Sequence, residues 1–228
     1  MLKILLLPGL DGTGKLFKHL NTYLKLPVQS EVIVLNDIVG RTHIEQARSI
    51  AHLIGRSRVI LIAESYSGRI AYELCRILNQ QISYIIFIAS FVSNPCRITE
   101  LIKNLPEIFF DIKYIPEILI NYFCFSGYGK TKLYLALRET MALVSKKIIK
   151  QRIHLIAKLQ IPEQHYAINA CYLRPSHDRL VSTRALKIIR ECFPNLTVKT
   201  ISGGHFIAQI EPKKCATIIN KIIVEQGY

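Results

Sequence analysis

The chain has 228 residues, half of them hydrophobic, which suits one domain, or one domain carrying an insertion, around a sizeable core. Its 30 Lys and Arg stand against 16 Asp and Glu, giving a net charge of +14. The basic residues are spread along the chain, and no interleaved aromatic-basic motif or zinc spacing accompanies them, which argues against nucleic acid as a partner.

The first predicted strand, Lys3–Leu7, is stopped at once by Pro8-Gly9, too soon for the apolar core of an export signal. The Gly-rich turn 8–14 follows, then helical spacing over Lys15–Leu24 and a second strand over Glu31–Leu35 that ends in Asn36-Asp37. Ile44, Ala47, Ile50, Ala51 and Ile54 share one face of a helix over His43–Ile54. Arg58–Ala63 is a third strand, Ser67–Leu78 a helix entered through a tight turn, and Ser83–Ala89 a fourth strand. The rhythm then breaks. Residues 94–162 hold no convincing strand and read as amphipathic helices punctuated by Pro95, Pro106, Pro116 and the Ser126–Gly129 turn. It resumes with a strand at Tyr166–Leu173, a helix at Ser182–Cys192, a strand at Leu196–Ile201 and a last helix at Pro212–Val224. Repeated strand–helix units predict an α/β fold, a doubly wound, mostly parallel six-stranded sheet. The expected division is a core over 1–93 and 163–228, with a helical cap over 94–162 at the sheet's ligand-binding edge.

No segment reaches the roughly 18 apolar residues of a spanning helix. The six cysteines are scattered and lack CxxC spacing. A cytoplasmic monomer is therefore expected, without disulfides, metal, cofactor or integral membrane segment.

The chemistry concentrates on a few loops. Ala63-Glu64-Ser65-Tyr66-Ser67-Gly68 has the small-x-Ser-x-small pattern of a nucleophile elbow, where strand and helix backbones must pass closely. Ala63 and Ser67 stand where glycine is usual, and they satisfy the size rule. Such a turn exposes the Ser65 hydroxyl at a helix N-terminus and aims the Tyr66 N–H at a developing oxyanion. Alternatively, Ser65 or Ser67 merely caps the helix.

A serine nucleophile needs a base and an orienting carboxylate, and in this architecture they follow in the order Ser, acid, His. Asp178 falls in the loop after the fifth strand and His205 in the Gly203-Gly204-His205 loop after the sixth. Both loops leave the sheet at the edge that carries Ser65. His177 is the competing base and Asp37 the fallback acid, while His19, His43, His52 and His154 read as surface residues of helices. Leu10, in the turn after the first strand, offers a second oxyanion N–H. That turn nearly matches a phosphate-binding loop, Gly9-x-x-x-x-Gly14-Lys15, but Leu16 stands where Ser or Thr should hold magnesium.

With LLPGLDGTG, AESYSG, LRPSHDRLV and GGHF in place, the chain resembles the α/β-hydrolase superfamily over nearly its whole length. It is similar in layout to the compact bacterial branch with the LPGLDGTG turn and to the pimeloyl-[acyl-carrier-protein] methyl ester esterases of biotin biosynthesis. The resemblance implies a serine esterase acting on a small or carrier-bound acyl ester, with Ser65, Asp178 and His205 as triad and Leu10 and Tyr66 as oxyanion donors. It leaves open an acyltransferase, a lipase or lysophospholipase, and a non-catalytic binding module on the same scaffold. The apolar runs 105–110 and 117–123 could line an acyl tunnel or simply pack the cap. The basic helix 146–158 could dock an acidic acyl carrier protein or anionic lipid, or be a solvated face.

Overall fold

The computed structural model describes residues 2–25, 30–96 and 98–227. Six parallel strands form one sheet in the order β2-β1-β3-β4-β5-β6. In chain order the first half runs β1 (Leu2–Leu7), α1 (Lys18–Tyr23), β2 (Ser30–Val32), α2 (His43–Ile54), β3 (Arg58–Glu64), α3 (Ser67–Leu78) and β4 (Ile82–Ile88). A helical insertion follows, with α4 (Ile98–Ile102), α5 (Glu117–Ile120), α6 (Thr131–Ala142) and α7 (Lys146–Ala157), joined by 3₁₀ turns and one π-helical turn at Asn121–Phe125. The second half runs β5 (Ala170–Pro175), α8 (Thr183–Cys192), β6 (Leu196–Ile201), α9 (Ile207–Ile210) and α10 (Pro212–Glu225).

The two faces of the sheet follow from the pleat, since successive side chains point to opposite sides. Leu5, Leu7, Leu61, Ala63 and Phe87 pack under α2, α3 and α8, against Ile50, Ile70, Leu74 and Ile189. Ile4, Leu6, Ile60, Ile62, Ile86 and Ile88 pack under α1 and α10, against Leu20, Ile219 and Ile223. Central strands apolar on both faces are what a buried parallel sheet requires, and they explain why β1, β3 and β4 read as near-continuous apolar runs. Thr42 starts α2 with a reciprocal capping box to Glu45, and Ser182 caps α8 through the Ala185 N–H.

Two strands and one side chain differ from expectation. β2 is three residues long and lies at Ser30–Val32 rather than Glu31–Leu35. As an edge strand it pairs only with Ile4–Leu6, and Ile33 and Leu35 are buried beyond its end. β5 begins at Ala170, because Tyr166 bonds back to the Cys192 carbonyl instead of joining the ladder. His43 is buried rather than on the surface, stacked on the Tyr66 ring at 4.5 Å.

The same topology places the loops after β1, β3, β5 and β6 at one edge. The insertion leaves the sheet after β4, at that edge too.

Candidate active site

The turn after β3 is strained in the way an exposed nucleophile requires. Ser65 adopts φ +48°, a left-handed conformation that costs a non-glycine residue about 1 kcal/mol or more. Its N–H donates to the Ile88 carbonyl at 3.0 Å, and its carbonyl receives the Gly68 N–H at 3.0 Å. Close approach explains the small neighbours. A Cβ at Gly68 would lie 2.6 Å from the Phe91 carbonyl oxygen, and the buried Ser67 hydroxyl donates to the Pro8 carbonyl. No side chain caps α3, so neither serine serves as a helix cap.

The Ser65 hydroxyl faces His205 instead. Oγ lies 2.9 Å from His205 Nε2, and His205 Nδ1 lies 3.0 Å from Asp178 Oδ2 and 3.2 Å from Oδ1. Asp178 Oδ1 also accepts the Leu180 and Val181 N–H groups, each at 2.9 Å. Burial works against the Asp178 anion, but His205 and the two amides outweigh it and hold the carboxyl below its usual range. Burial likewise disfavours the His205 cation, yet Asp178 outweighs it and holds the imidazole above its usual value. The competitors are elsewhere: His177 is exposed, with Nδ1 2.7 Å from Ser176 Oγ, and Asp37 is exposed. Gly204 fits because a Cβ there would lie 2.4 Å from the Phe125 backbone, so the histidine loop lies hard against the insertion.

Tyr66 is the residue at the N-cap of α3, directly after Ser65, and Leu10 lies in the turn after β1. The Gly9 carbonyl of that turn accepts the Gly12 N–H at 3.1 Å. Asp11 fills the turn with its carboxylate, which accepts the Thr13 N–H at 2.8 Å. An acid inside the loop is the wrong lining for phosphate.

Two acidic residues of the site carried no role in the sequence. Glu64 and Asp11 are both buried and both line the cavity beside Ser65. Burial pushes the Glu64 carboxyl up to about 7, against the opposing hydrogen bond from Gln209 at 3.0 Å. Glu64 immediately precedes the nucleophile candidate, so its place in the elbow was the available signal.

Over Ser65 opens a cavity of about 400 Å³, within the range of small-molecule sites. The insertion supplies most of its wall, including Phe110, Ile112, Ile120, Leu137, Ile149 and Ile153, so segments 105–110 and 117–123 both reach the cavity while Tyr114, Ile118 and Tyr122 stay exposed. The basic helix 146–158 is less free than its sequence suggests. Lys146 pairs with Asp111 at 2.7 Å and Arg152 is buried, leaving Lys147 and Lys158 exposed. All six cysteines are free thiols. Among the described residues, no helix is long and apolar enough to cross a membrane.

The chain has the α/β-hydrolase fold. A thermophilic esterase superposes with TM-score 0.78 at 12% identity, covering 99% of this chain and 90% of its own. An esterase from Exiguobacterium antarcticum gives TM-score 0.78 at 13% identity, covering 98% and 92%. A juvenile hormone epoxide hydrolase from the silkworm Bombyx mori gives 0.72 at 18% identity, covering 99% and 69%. These likenesses share an architecture across two chemistries, so activity must be argued from the site. No protein-family model and no curated protein sequence matches the chain.

Proposed function

We propose that this protein is a serine hydrolase that cleaves a carboxylic ester or thioester of an apolar acyl group, with Ser65 as nucleophile, His205 as base and Asp178 as orienting acid. One observation carries the reading: the unbroken chain of contacts from Ser65 Oγ through His205 to Asp178, opening on an apolar cavity. His205 Nε2 takes the Ser65 proton as Oγ attacks the carbonyl carbon. Asp178 keeps the other proton on Nδ1 and stabilises the imidazolium that forms. The Tyr66 and Leu10 N–H groups receive the oxyanion. The imidazolium returns its proton to the leaving alcohol or thiol, and water, deprotonated by His205, releases the acid. No cofactor enters.

The helical insertion serves as the cap, and its apolar wall selects the acyl part. A pimeloyl-[acyl-carrier-protein] methyl ester fits the resemblance. Lys147 and Lys158 are then where an acidic carrier would dock, and activity on a carrier-bound ester should fall steeply with salt while activity on a small ester stays level. Equal salt responses would remove the carrier. Ser65→Ala should lower turnover of p-nitrophenyl acyl esters by about 10⁴-fold or more and abolish fluorophosphonate labelling. Full activity in that variant would end the serine mechanism.

A further inference from the structure

Arg152, on α7 of the insertion, is the only Lys or Arg among the described residues that is buried, at 4% exposure. A buried cation normally sits against a carboxylate. Among the described residues this one has no carboxylate oxygen within 4.0 Å. Its hydrogen-bond partners are neutral, and they are the turn after β1 and the Asn36 side chain that braces it. Nη1 donates to the Leu10 carbonyl at 2.8 Å, and Nη2 donates to Asn36 Oδ1 at 2.9 Å. Asn36 Nδ2 in turn donates to the Asp11 carbonyl at 3.2 Å. The guanidinium carbon lies 5.5 Å from the centroid of the Tyr66 ring.

We propose that Arg152 is the positioning residue of the oxyanion hole, holding the turn that carries the Leu10 N–H and bringing a positive charge to it. The proposal rests on the serine-hydrolase reading above. The turn's geometry gives the reason. In a trans peptide the N–H points opposite the preceding carbonyl, so the Gly12 N–H bonded to the Gly9 carbonyl sets the direction of the Leu10 N–H. The next two carbonyls, Leu10 and Asp11, are then held by Arg152 and by Asn36. Three successive carbonyls are fixed: the Gly12 N–H holds the donor peptide itself, and Arg152 holds the peptide that follows it through a part-buried charge-assisted bond. The fit is close: a Cβ at Gly12 would lie 2.4 Å from Arg152 Nη1. Tyr66, the second donor residue, has its ring beside the same cation. A preorganised cation held beside the hole favours negative charge when that charge appears, and it favours the neutral ester little.

The test compares kcat with KM. Arg152→Gln should lower kcat on a p-nitrophenyl ester on the order of 10–100-fold, less than deletion of a donor itself, while KM moves within about 3-fold. Arg152→Lys, which keeps the charge but loses the fork, should fall between. An alkyl trifluoromethyl ketone supplies a readout that a packing role would not move. Ser65 Oγ adds to its carbonyl carbon, the proton passes to His205, and the carbonyl oxygen becomes an oxyanion in the hole. Its inhibition constant should rise in step with the loss of kcat/KM, while that of the matching alkyl alcohol stays level. An unchanged kcat, or equal weakening of ketone and alcohol, overturns the proposal. If Arg152→Gln shows no cooperative thermal transition, Asn36→Ala must show a smaller loss of kcat at constant KM, and its absence overturns the proposal equally. Ser65→Ala separates the two levels. Activity in that variant removes the underlying mechanism, whereas a dead Ser65 variant beside an unaffected Arg152 variant removes only the role of Arg152.

Discussion

The sheet and the helical insertion solve the same problem of burying apolar surface in opposite ways. The sheet does it with long, regular strands whose residues alternate between two helical layers, so that Ile60 and Ile62 serve one face while Leu61 and Ala63 serve the other. The insertion does it with short pieces, four-residue α5 and the 3₁₀ and π-helical turns among them, around two small clusters. The sheet holds Ser65, Asp178 and His205 in place. The insertion spends its apolar side chains on a cavity and leaves others, such as Leu101 and Ile118, largely exposed. Regularity therefore goes with the proposed chemistry, and irregularity with what the site receives.

The largest expected effect is on the sheet side. Asp178→Asn should leave the fold intact and lower kcat by about 10³–10⁴-fold, because the amide favours the wrong His205 tautomer. A loss below about tenfold would mean that Asp178 only braces its loop through the Leu180 and Val181 amides. The next contrast is in stability. Ile62→Ala, at 0% exposure in the central β3, should cost about 2–5 kcal/mol in urea unfolding, whereas Ile120→Ala in the insertion should cost less, because short elements around a cavity relax more easily. Equal costs would show that the insertion is as tightly packed as the sheet.

A third contrast is read from pH. The His205 pKa is raised, so kcat/KM should climb as pH rises through an apparent value above 6.5 and the imidazole loses its proton. Glu64 contributes to that elevation, so Glu64→Gln should move the acid limb of the profile to lower pH. The same variant should alter stability. A carboxyl raised from 4.5 to about 7 favours the folded state fully below pH 4.5 and loses that contribution as pH rises through about 7. The wild type should therefore lose stability relative to Glu64→Gln across that window, and parallel melting curves would show that Glu64 titrates normally. The smallest effect is on the insertion's surface: Lys147→Ala should change turnover of a small ester less than about twofold.

The sequence was most legible where regular structure carried the signal. Central strands such as the one expected at Arg58–Ala63, the turn at Ser65 and the loops bearing Asp178 and His205 follow from apolar runs, strand order and turn chemistry. The edge strand is shorter than expected because its ladder ends where the Ile33 N–H reaches the Leu6 carbonyl, and Leu35 beyond it is apolar for burial rather than for pairing. The insertion was legible only as helical, since Pro106 and Pro116 interrupt any period before it can repeat. The burial of His43 and Arg152 is not legible from residue type, because polarity on a helix predicts exposure. Arg152 stands three residues after Ile149 and four before Ile156, on the apolar stripe of α7, and that spacing was the signal of its burial.

The contact between Gly204 and the Phe125 backbone has a bearing on protein engineering. Nearby, the Phe206 N–H donates to the Cys124 carbonyl at 3.2 Å, and the Ser126 hydroxyl donates to the His177 carbonyl. The insertion is thus mortised into the histidine loop at one end and, through Arg152, into the turn after β1 at the other. Chimaeras that exchange residues 94–162 for the corresponding segment of another protein of this fold, in order to graft a different cavity lining, would cut through both joints. A recombination that keeps Cys124–Ser126 and Arg152 from this chain, and varies only the wall between them, preserves the seams on which a transplanted lining has to sit.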